Sequence, residues 1–330
     1  MSFLRINNLA DFPKSLRGGA VAIGNFDGLH RGHQAVLEAA ASAAESSNCP
    51  AIVLTFEPHP RSVFQPDVPL PRITPPSMKA KMIEELGFDA VIELPFSRQF
   101  SKKSADEFVS DILLGSLNAS NVVTGFDFHF GKDRQGGPAF LMEKGGENGF
   151  EVILVDAFRD DDAEVISSSR IREALAQGDV QLANTLLGYH YRVSAPIIEG
   201  EQLGRTLGYP TANMSVPSET PLLHGIFAVR FVRADGSVYD GVASYGRRPT
   251  VTEDGKPLLE TYVFDFKGDL YGEHCSVAFV KYLRGEEKFD GLDPLIAQMK
   301  IDEQDARTSL ASIKPFSELD NRLTFSGKIG

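Results

Sequence analysis

Apolar, β-branched runs alternate with helical patterns through the first half of the chain. After about residue 190 they give way to short strand-like runs with little helix between them, and this change of rhythm is what most constrains the fold. The first half reads AVAIG up to Gly24, a helix over about 34–44, AIVLTF at 51–56, a helix over 76–86, AVIEL at 90–94, a helix over 105–117, NVVTG at 121–125 and EVILVD at 151–156. Such a series predicts a doubly wound parallel sheet of Rossmann-like type, with ligands at the carboxyl ends of its strands. A helix begins near Ile171, and from about Tyr191 to Phe279 the runs YRVSAPII, GIFAVRFV, VYDGVAS, LLETYVFDF and HCSVAFV are separated by turn residues. That spacing predicts a small antiparallel β-barrel or sandwich, closed by a helix over DPLIAQMKIDEQDARTSLASI.

A chain of 330 residues is long enough for two domains, here expected at 1–185 and 186–330 with a short join. The net charge of −12 argues against a nucleic-acid partner, whereas a small phosphorylated ligand needs only a few local donors. No apolar run approaches the roughly 20 residues of a membrane span, and MSFLRINNLADF lacks the regions of a signal peptide, so a cytoplasmic protein with no membrane partner is expected. Cys49 and Cys275 are far apart with no CxxC spacing, which points away from a zinc site or a disulfide framework.

Within this frame, GNFDGLHRGH (24–33) lies where a strand becomes a helix, with His30 and His33 at the helix mouth. Unpaired N–H groups there attract anions, and imidazoles can donate to phosphate oxygens without permanent charge. SSSRIR (167–172) opens a second helix, where hydroxyls and N–H groups could seat a phosphate and Arg172 clamp it; the alternative is an ordinary serine cap, worth about 1 kcal/mol. TFEPHPRSVF, with Glu57, Pro58, His59 and Pro60, is expected to be a rigid turn and no helix. In GFDFHFGKDRQGG (125–137), Phe126, Phe128 and Phe130 read as core aromatics, while Asp127, Lys132 and Arg134 suggest a planar ligand near a loop. In GRTLGYPTAN (204–213), Gly204 and Gly208 allow close backbone approach, and Pro210 is expected to fix a turn presenting Thr211 and Asn213 as neutral oxygen donors for Mg²⁺ shared with nucleotide phosphates. A plain surface turn is the alternative there. Glu260, a carboxylate in the apolar run LLETYVF, is either paired structurally or kept for proton transfer.

The HxGH and SSSxxR pair resembles the nucleotidyltransferase superfamily. With TFEPHP, GFDFHFG, GRTLGYPTAN, the RRPT turn, ETYVFDFKGDLYG and LRGEEKFDGLDPL following in order, almost the whole chain resembles the prokaryotic bifunctional riboflavin kinase/FAD synthetase family. The resemblance implies that a C-terminal module phosphorylates riboflavin with ATP to FMN, and that an N-terminal module transfers AMP from a second ATP to FMN, giving FAD and pyrophosphate. It implies Glu260 as the base for the ribityl hydroxyl, with His30, His33 and Arg172 as catalytic groups of the other module. It implies ATP or phosphate contacts from Gly24, Asn25, Phe26, Gly28, Ser168, Ser169, Arg205, Thr211 and Asn213, with Mg²⁺ on Thr211 and Asn213. Asp127, Phe128, Phe130 and Arg248 would bind flavin. The implied partners are riboflavin, FMN and ATP, with FMN and FAD as products or bound ligands; homo-oligomerisation stays open. Three positions depart from the family pattern: Ser244 where many relatives carry Asn, Ala195 where many carry Gly, and Asp127 where some carry Asn. A nucleotidyltransferase with another phosphorylated acceptor is disfavoured by GRTLGYPTAN and Glu260. A non-catalytic flavin sensor is disfavoured by the intact HRGH and SSSxxR.

Overall fold

Runs such as AVAI and AIVLTFE can satisfy their backbone and bury both faces only inside a covered sheet, and in the computed structural model, which describes residues 2–200, 208–247 and 257–326, they do so. The chain divides into two compact units, Met1–Ser168 and Ser169–Gly330. The first holds β1 (Leu4–Ile6), β2 (Ala20–Ile23), β3 (Ala51–Glu57), β4 (Ala90–Pro95), β5 (Asn121–Gly125) and β6 (Glu151–Val155). They form one parallel sheet in the order β1-β4-β3-β2-β5-β6. Around it lie α1 (Arg31–Ser47), α2 (Pro60–Phe64), α3 (Pro76–Glu85), a helix α4 that starts at Ala105–Glu107 and continues as a π-helix over Phe108–Ser116, and α5 (Pro138–Asn148). Ile23, Leu54, Ile92, Phe56, Phe108 and Phe130 belong to its core.

From β2 the chain moves to β3 on one side; from β5 it moves to β6 on the other. The sheet therefore reverses direction between β2 and β5, the crevice where open α/β sheets bind ligands. Ala22 pairs with Val123, so Gly24 and Gly125 leave these two strands at the same level. The Thr124 hydroxyl donates to the Ile23 carbonyl at 3.3 Å and holds the two exits together.

Two expectations for this unit need correction, and one strand was not expected. The rigid turn of TFEPHPRSVF ends at His59: Pro60 takes the first position of α2, where a missing N–H removes nothing, and His59 Nδ1 caps it by accepting the Arg61 N–H at 3.1 Å. The 105–117 helix is mostly π-helical. The edge strand β1, only three residues long, has no counterpart in the sequence reading.

The second unit begins with α6 (Ser168–Ala176, whose first residue is the last of the first unit) and α7 (Val180–Leu187). Then come β7 (Arg192–Ile198), β8 (Thr211–Ser215), β9 (Gly225–Val232), β10 (Val238–Arg247), β11 (Pro257–Val263) and β12 (His274–Arg284). These close an antiparallel barrel in the order β10-β11-β8-β7-β12-β9. The helix α8 (Leu292–Leu310) lays Ala306 and Leu310 against Val242, Tyr262, Val280 and Leu283. The turn expected to present Thr211 and Asn213 is a strand: β8 starts immediately after Pro210, at a strand entry where no ladder N–H is required of proline. α7 was not expected, and it is tied to the barrel by Asn184, which donates to the Phe279 carbonyl at 2.9 Å and accepts the Tyr191 N–H at 2.7 Å.

Candidate active sites

The turn between β2 and α1 winds through left-handed backbone at Phe26 (φ 50°), Gly28 (φ 91°) and Leu29 (φ 35°), although Phe26 and Leu29 are bulky and buried. Such strain persists only where surrounding contacts over-determine it, and it gathers at functional sites. His30 ends the turn as the N-cap of α1: its Nδ1 accepts the His33 N–H at 3.3 Å. A neutral ring that accepts at Nδ1 carries its proton on Nε2. The His30 and His33 rings stack with centroids 3.6 Å apart, and Phe26 meets His33 edge-on at 5.4 Å. Gly32 makes room for this stack, because a Cβ there would come within 3.3 Å of the His30 ring. Burial first, then His30 and Lys79, hold the His33 imidazole well below its ordinary value, so it is neutral at pH 7. His33 Nδ1 is buried without a hydrogen-bond partner.

Behind the turn lies a set of acidic and basic groups of which the sequence reading singles out Glu57 alone. Lys79 on α3 is fully buried; its Nζ donates to the Asn25 carbonyl at 3.2 Å, Thr55 Oγ1 at 3.1 Å and Glu57 Oε1 at 2.8 Å. Arg72 grips Glu57 through both terminal nitrogens at 3.0 and 2.7 Å, and its Nε lies 3.6 Å from Asp27 Oδ1. Asp27, 1% exposed, accepts the Ile73 and Thr74 N–H groups at 3.4 and 3.1 Å. Burial alone would raise the Glu57 carboxyl, but the Arg72 hydrogen bond and the charge of Lys79 bring it below the usual carboxylate range. The signal that could have revealed Lys79 is its position, three and four residues before the buried Met82 and Ile83 and so on the apolar stripe of its helix.

Ser168 joins the turn, its hydroxyl donating to the Asp27 carbonyl at 2.8 Å. Ser169 and Arg172 continue the same helix into the second unit, Ser169 exposed and Arg172 half-buried. After β5, Asp127 is exposed and Phe128 is half-buried, stacked on Phe130 at 5.6 Å. Phe130 is core, against Phe108 and Phe140, so of these two rings only Phe128 is open to a planar ligand at this loop. Phe126, expected in the core, is 48% exposed.

In the barrel, strand register assembles a second group. Glu260 pairs directly with Asn213 on one side and with Ser244 on the other, so the three side chains line one row across β8, β11 and β10. The neighbouring row of Ala212, Thr261 and Ala243 is fully or almost fully buried, which puts Glu260, half-exposed, on the face opposite the barrel interior. Thr211 shares the face of Asn213, two residues away. Asn213 is 4% exposed, its Nδ2 donating to the Thr211 carbonyl at 3.3 Å while its Oδ1 has no hydrogen-bond partner. An orphaned amide oxygen beside a threonine suits a hard cation such as Mg²⁺. Among the described residues no group of three or more His, Cys, Asp or Glu could hold a metal alone. Gly204, Arg205 and Arg248 lie outside the described residues. Ala195, on β7, is half-buried opposite Cys275, whose thiol burial pushes up to about 12.

Comparison with known proteins matches both halves. The FAD synthetase family model covers residues 12–170 and the riboflavin kinase model residues 187–310. A bifunctional riboflavin kinase/FMN adenylyltransferase from Pseudomonas fluorescens is 40% identical over 306 residues, covering 93% of this chain and 97% of its own. The Escherichia coli protein of that description is 36% identical over 310 residues, covering 94% and 98%. A crystal structure described as a macrolide-efflux protein from Streptococcus pneumoniae has a TM-score of 0.81 at 33% identity, covering 93% of this chain and 99% of that one. No helix among the described residues is long and apolar enough to cross a membrane.

Proposed function

This chain belongs to the bifunctional riboflavin kinase/FMN adenylyltransferase family and carries both activities, and from that premise we propose how its residues divide the two reactions. FMN adenylylation belongs to the module expected at 1–185 and riboflavin phosphorylation to that at 186–330, a division supported by the separate family matches.

For the kinase, Glu260 takes the proton of the ribityl 5′-hydroxyl as that oxygen attacks the γ-phosphorus of ATP and ADP departs. Thr211 and Asn213 would hold Mg²⁺ for the ATP phosphates, a role supported by the orphaned Asn213 Oδ1. The metal supplies charge neutralisation on the phosphates when bound. Ser244, in the Glu260 row, offers a hydroxyl beside that carboxylate.

In the adenylyltransferase, an FMN phosphate oxygen attacks the α-phosphorus of ATP and pyrophosphate leaves. The nucleophile is already ionised, so no base is required, and catalysis rests on positioning and charge stabilisation. The α1 N-terminus and the turn from Gly24 through Asn25, Phe26 and Gly28 cradle phosphate. His30 Nε2–H and the neutral His33 donate to charge moving toward pyrophosphate. Ser168 and Ser169 seat phosphate, and Arg172 clamps it. Asp127 and Phe128, backed by Phe130, receive the flavin.

The observation that carries the kinase reading is the register of Glu260 with Asn213. Glu260→Gln keeps size and removes the base. With riboflavin, ATP and Mg²⁺, FMN formation is expected to fall by about 10² or more, while FAD formation from supplied FMN stays near normal. Parallel loss of both activities would assign Glu260 a structural role.

A further inference from the structure

We propose that Lys79, acting with Thr55, Glu57, Arg72 and Asp27, is a positioning residue for adenylyl transfer, working through the backbone turn that carries His30 and His33 and never touching substrate. The inference rests on the reading of that turn as the adenylyl-transfer site.

An ammonium group has three protons, and those of Lys79 meet three acceptors on other segments: the Asn25 carbonyl, the Thr55 hydroxyl and the Glu57 carboxylate. The Thr55 hydroxyl itself donates to the Asn25 carbonyl at 3.1 Å, so one carbonyl of the turn is held twice. From Glu57 the charges alternate through Arg72 to Asp27, which is again a residue of the turn. Asp27 is fixed by two backbone N–H groups on its carboxylate and by the Ser168 hydroxyl on its carbonyl. A chain of ionic contacts thus begins and ends on the segment whose backbone is left-handed at Phe26, Gly28 and Leu29.

Stability alone does not call for this arrangement. Buried ion networks lose solvation, and well-packed apolar replacements are often neutral or stabilising. What an apolar side chain cannot do is hold the Asn25 carbonyl or set a positive charge beside His33. The titratable groups acting on His33 are His30, from the end of the turn, and Lys79, from α3. Removing the ammonium therefore loosens the turn and allows His33 to take up a proton at a higher pH.

The test uses full-length Lys79→Met, assayed separately for riboflavin phosphorylation and for FAD formation from supplied FMN. Turnover in the second assay should drop by about 10²-fold, the scale of a small misplacement of reacting groups, with KM for ATP and FMN changed by less than about threefold. The acid limb of its pH–turnover profile should move to higher pH, and phosphorylation of riboflavin should be unchanged. Thr55→Val, nearly isosteric, removes the hydroxyl and with it both of its contacts, to Lys79 and to the Asn25 carbonyl, and should reduce turnover by about fivefold; it decides the matter if Lys79→Met does not fold. Normal adenylylation in a folded Lys79→Met, or an acid limb that stays in place, overturns the proposal. His33→Ala separates the two levels: loss there with normal Lys79→Met turnover removes only the positioning role, whereas normal turnover in His33→Ala removes the reading of the turn itself.

Discussion

His30 Nδ1 accepts the backbone N–H of His33 while the two imidazoles stack 3.6 Å apart, so one residue closes the helix end and also shapes the surface of the other. Capping uses Nδ1 of His30, whereas the proposed donation to phosphate uses Nε2, which makes the two roles separable by substitution.

His30→Asn retains a cap acceptor, whereas His30→Ala has none. The Ala variant should lose about 1 kcal/mol of stability and the Asn variant little of it. Both should lose about 10² to 10³ in FMN adenylylation, the scale of one missing donor to a developing anion, so that FMN accumulates in the coupled reaction. Thermal unfolding and turnover on the same preparations check this; normal turnover in His30→Asn would reduce the residue to a cap.

The sign of the pH effect at His33 follows from its lowered titration, caused chiefly by burial. Above the ordinary value of about 6.5 the ring is neutral in folded and unfolded chains alike. As pH falls below that, the unfolded chain binds a proton that the folded one refuses, and stability is lost until the folded value is passed. Wild type should therefore lose more thermal stability than His33→Gln between about pH 7.5 and about pH 5.5. Identical losses would contradict the burial of this ring.

Asn184 bears on where the kinase module can be cut. Its two buried hydrogen bonds, to Phe279 and Tyr191, place α7 with the barrel. A fragment 169–330 should phosphorylate riboflavin without making FAD, and it should melt several degrees, roughly 5–10 °C, above a fragment 186–330 that lacks these bonds. Equal melting temperatures would move the join back to 186.

Gly200 lies against Asn213: an added Cβ would fall within 2.9 Å of Asn213 Cγ. Gly200→Ala should displace that amide and lower riboflavin phosphorylation about tenfold, in the range of overpacking penalties, with FAD formation from FMN retained. Separate assays of the two reactions decide it.

Much of this was legible beforehand, for physical reasons that differ between elements. β2, β3 and β5 announce themselves because strands buried on both faces must be continuously apolar. The row of Asn213 and Glu260 was only half visible. Glu260 stands out in an apolar run, but its pairing with Asn213 is a matter of register, and Pro210 with Gly208 made β8 read as a turn. Lys79 stayed hidden because lysine on an amphipathic helix ordinarily faces water, and its three acceptors come from two other segments, β3 and the turn after β2, that only the tertiary fold brings to it. The π-helix at Phe108–Ser116 leaves no comparable mark, since the same apolar spacing suits an ordinary helix.

The closed barrel also restricts how such an enzyme can change. Side chains on a strand alternate between faces, so one residue inserted or deleted between Pro257 and Glu260 would turn Glu260 inward or else break its ladder with Asn213 and Ser244. In a closed barrel every strand has two neighbours, and such a slip cannot be absorbed at an edge. Changes of length are thereby confined to connections such as the turn from Arg233 to Ser237, whose ends are already bonded at 2.9 Å, while along β8, β10 and β11 the kinase can vary only by exchanging one side chain for another.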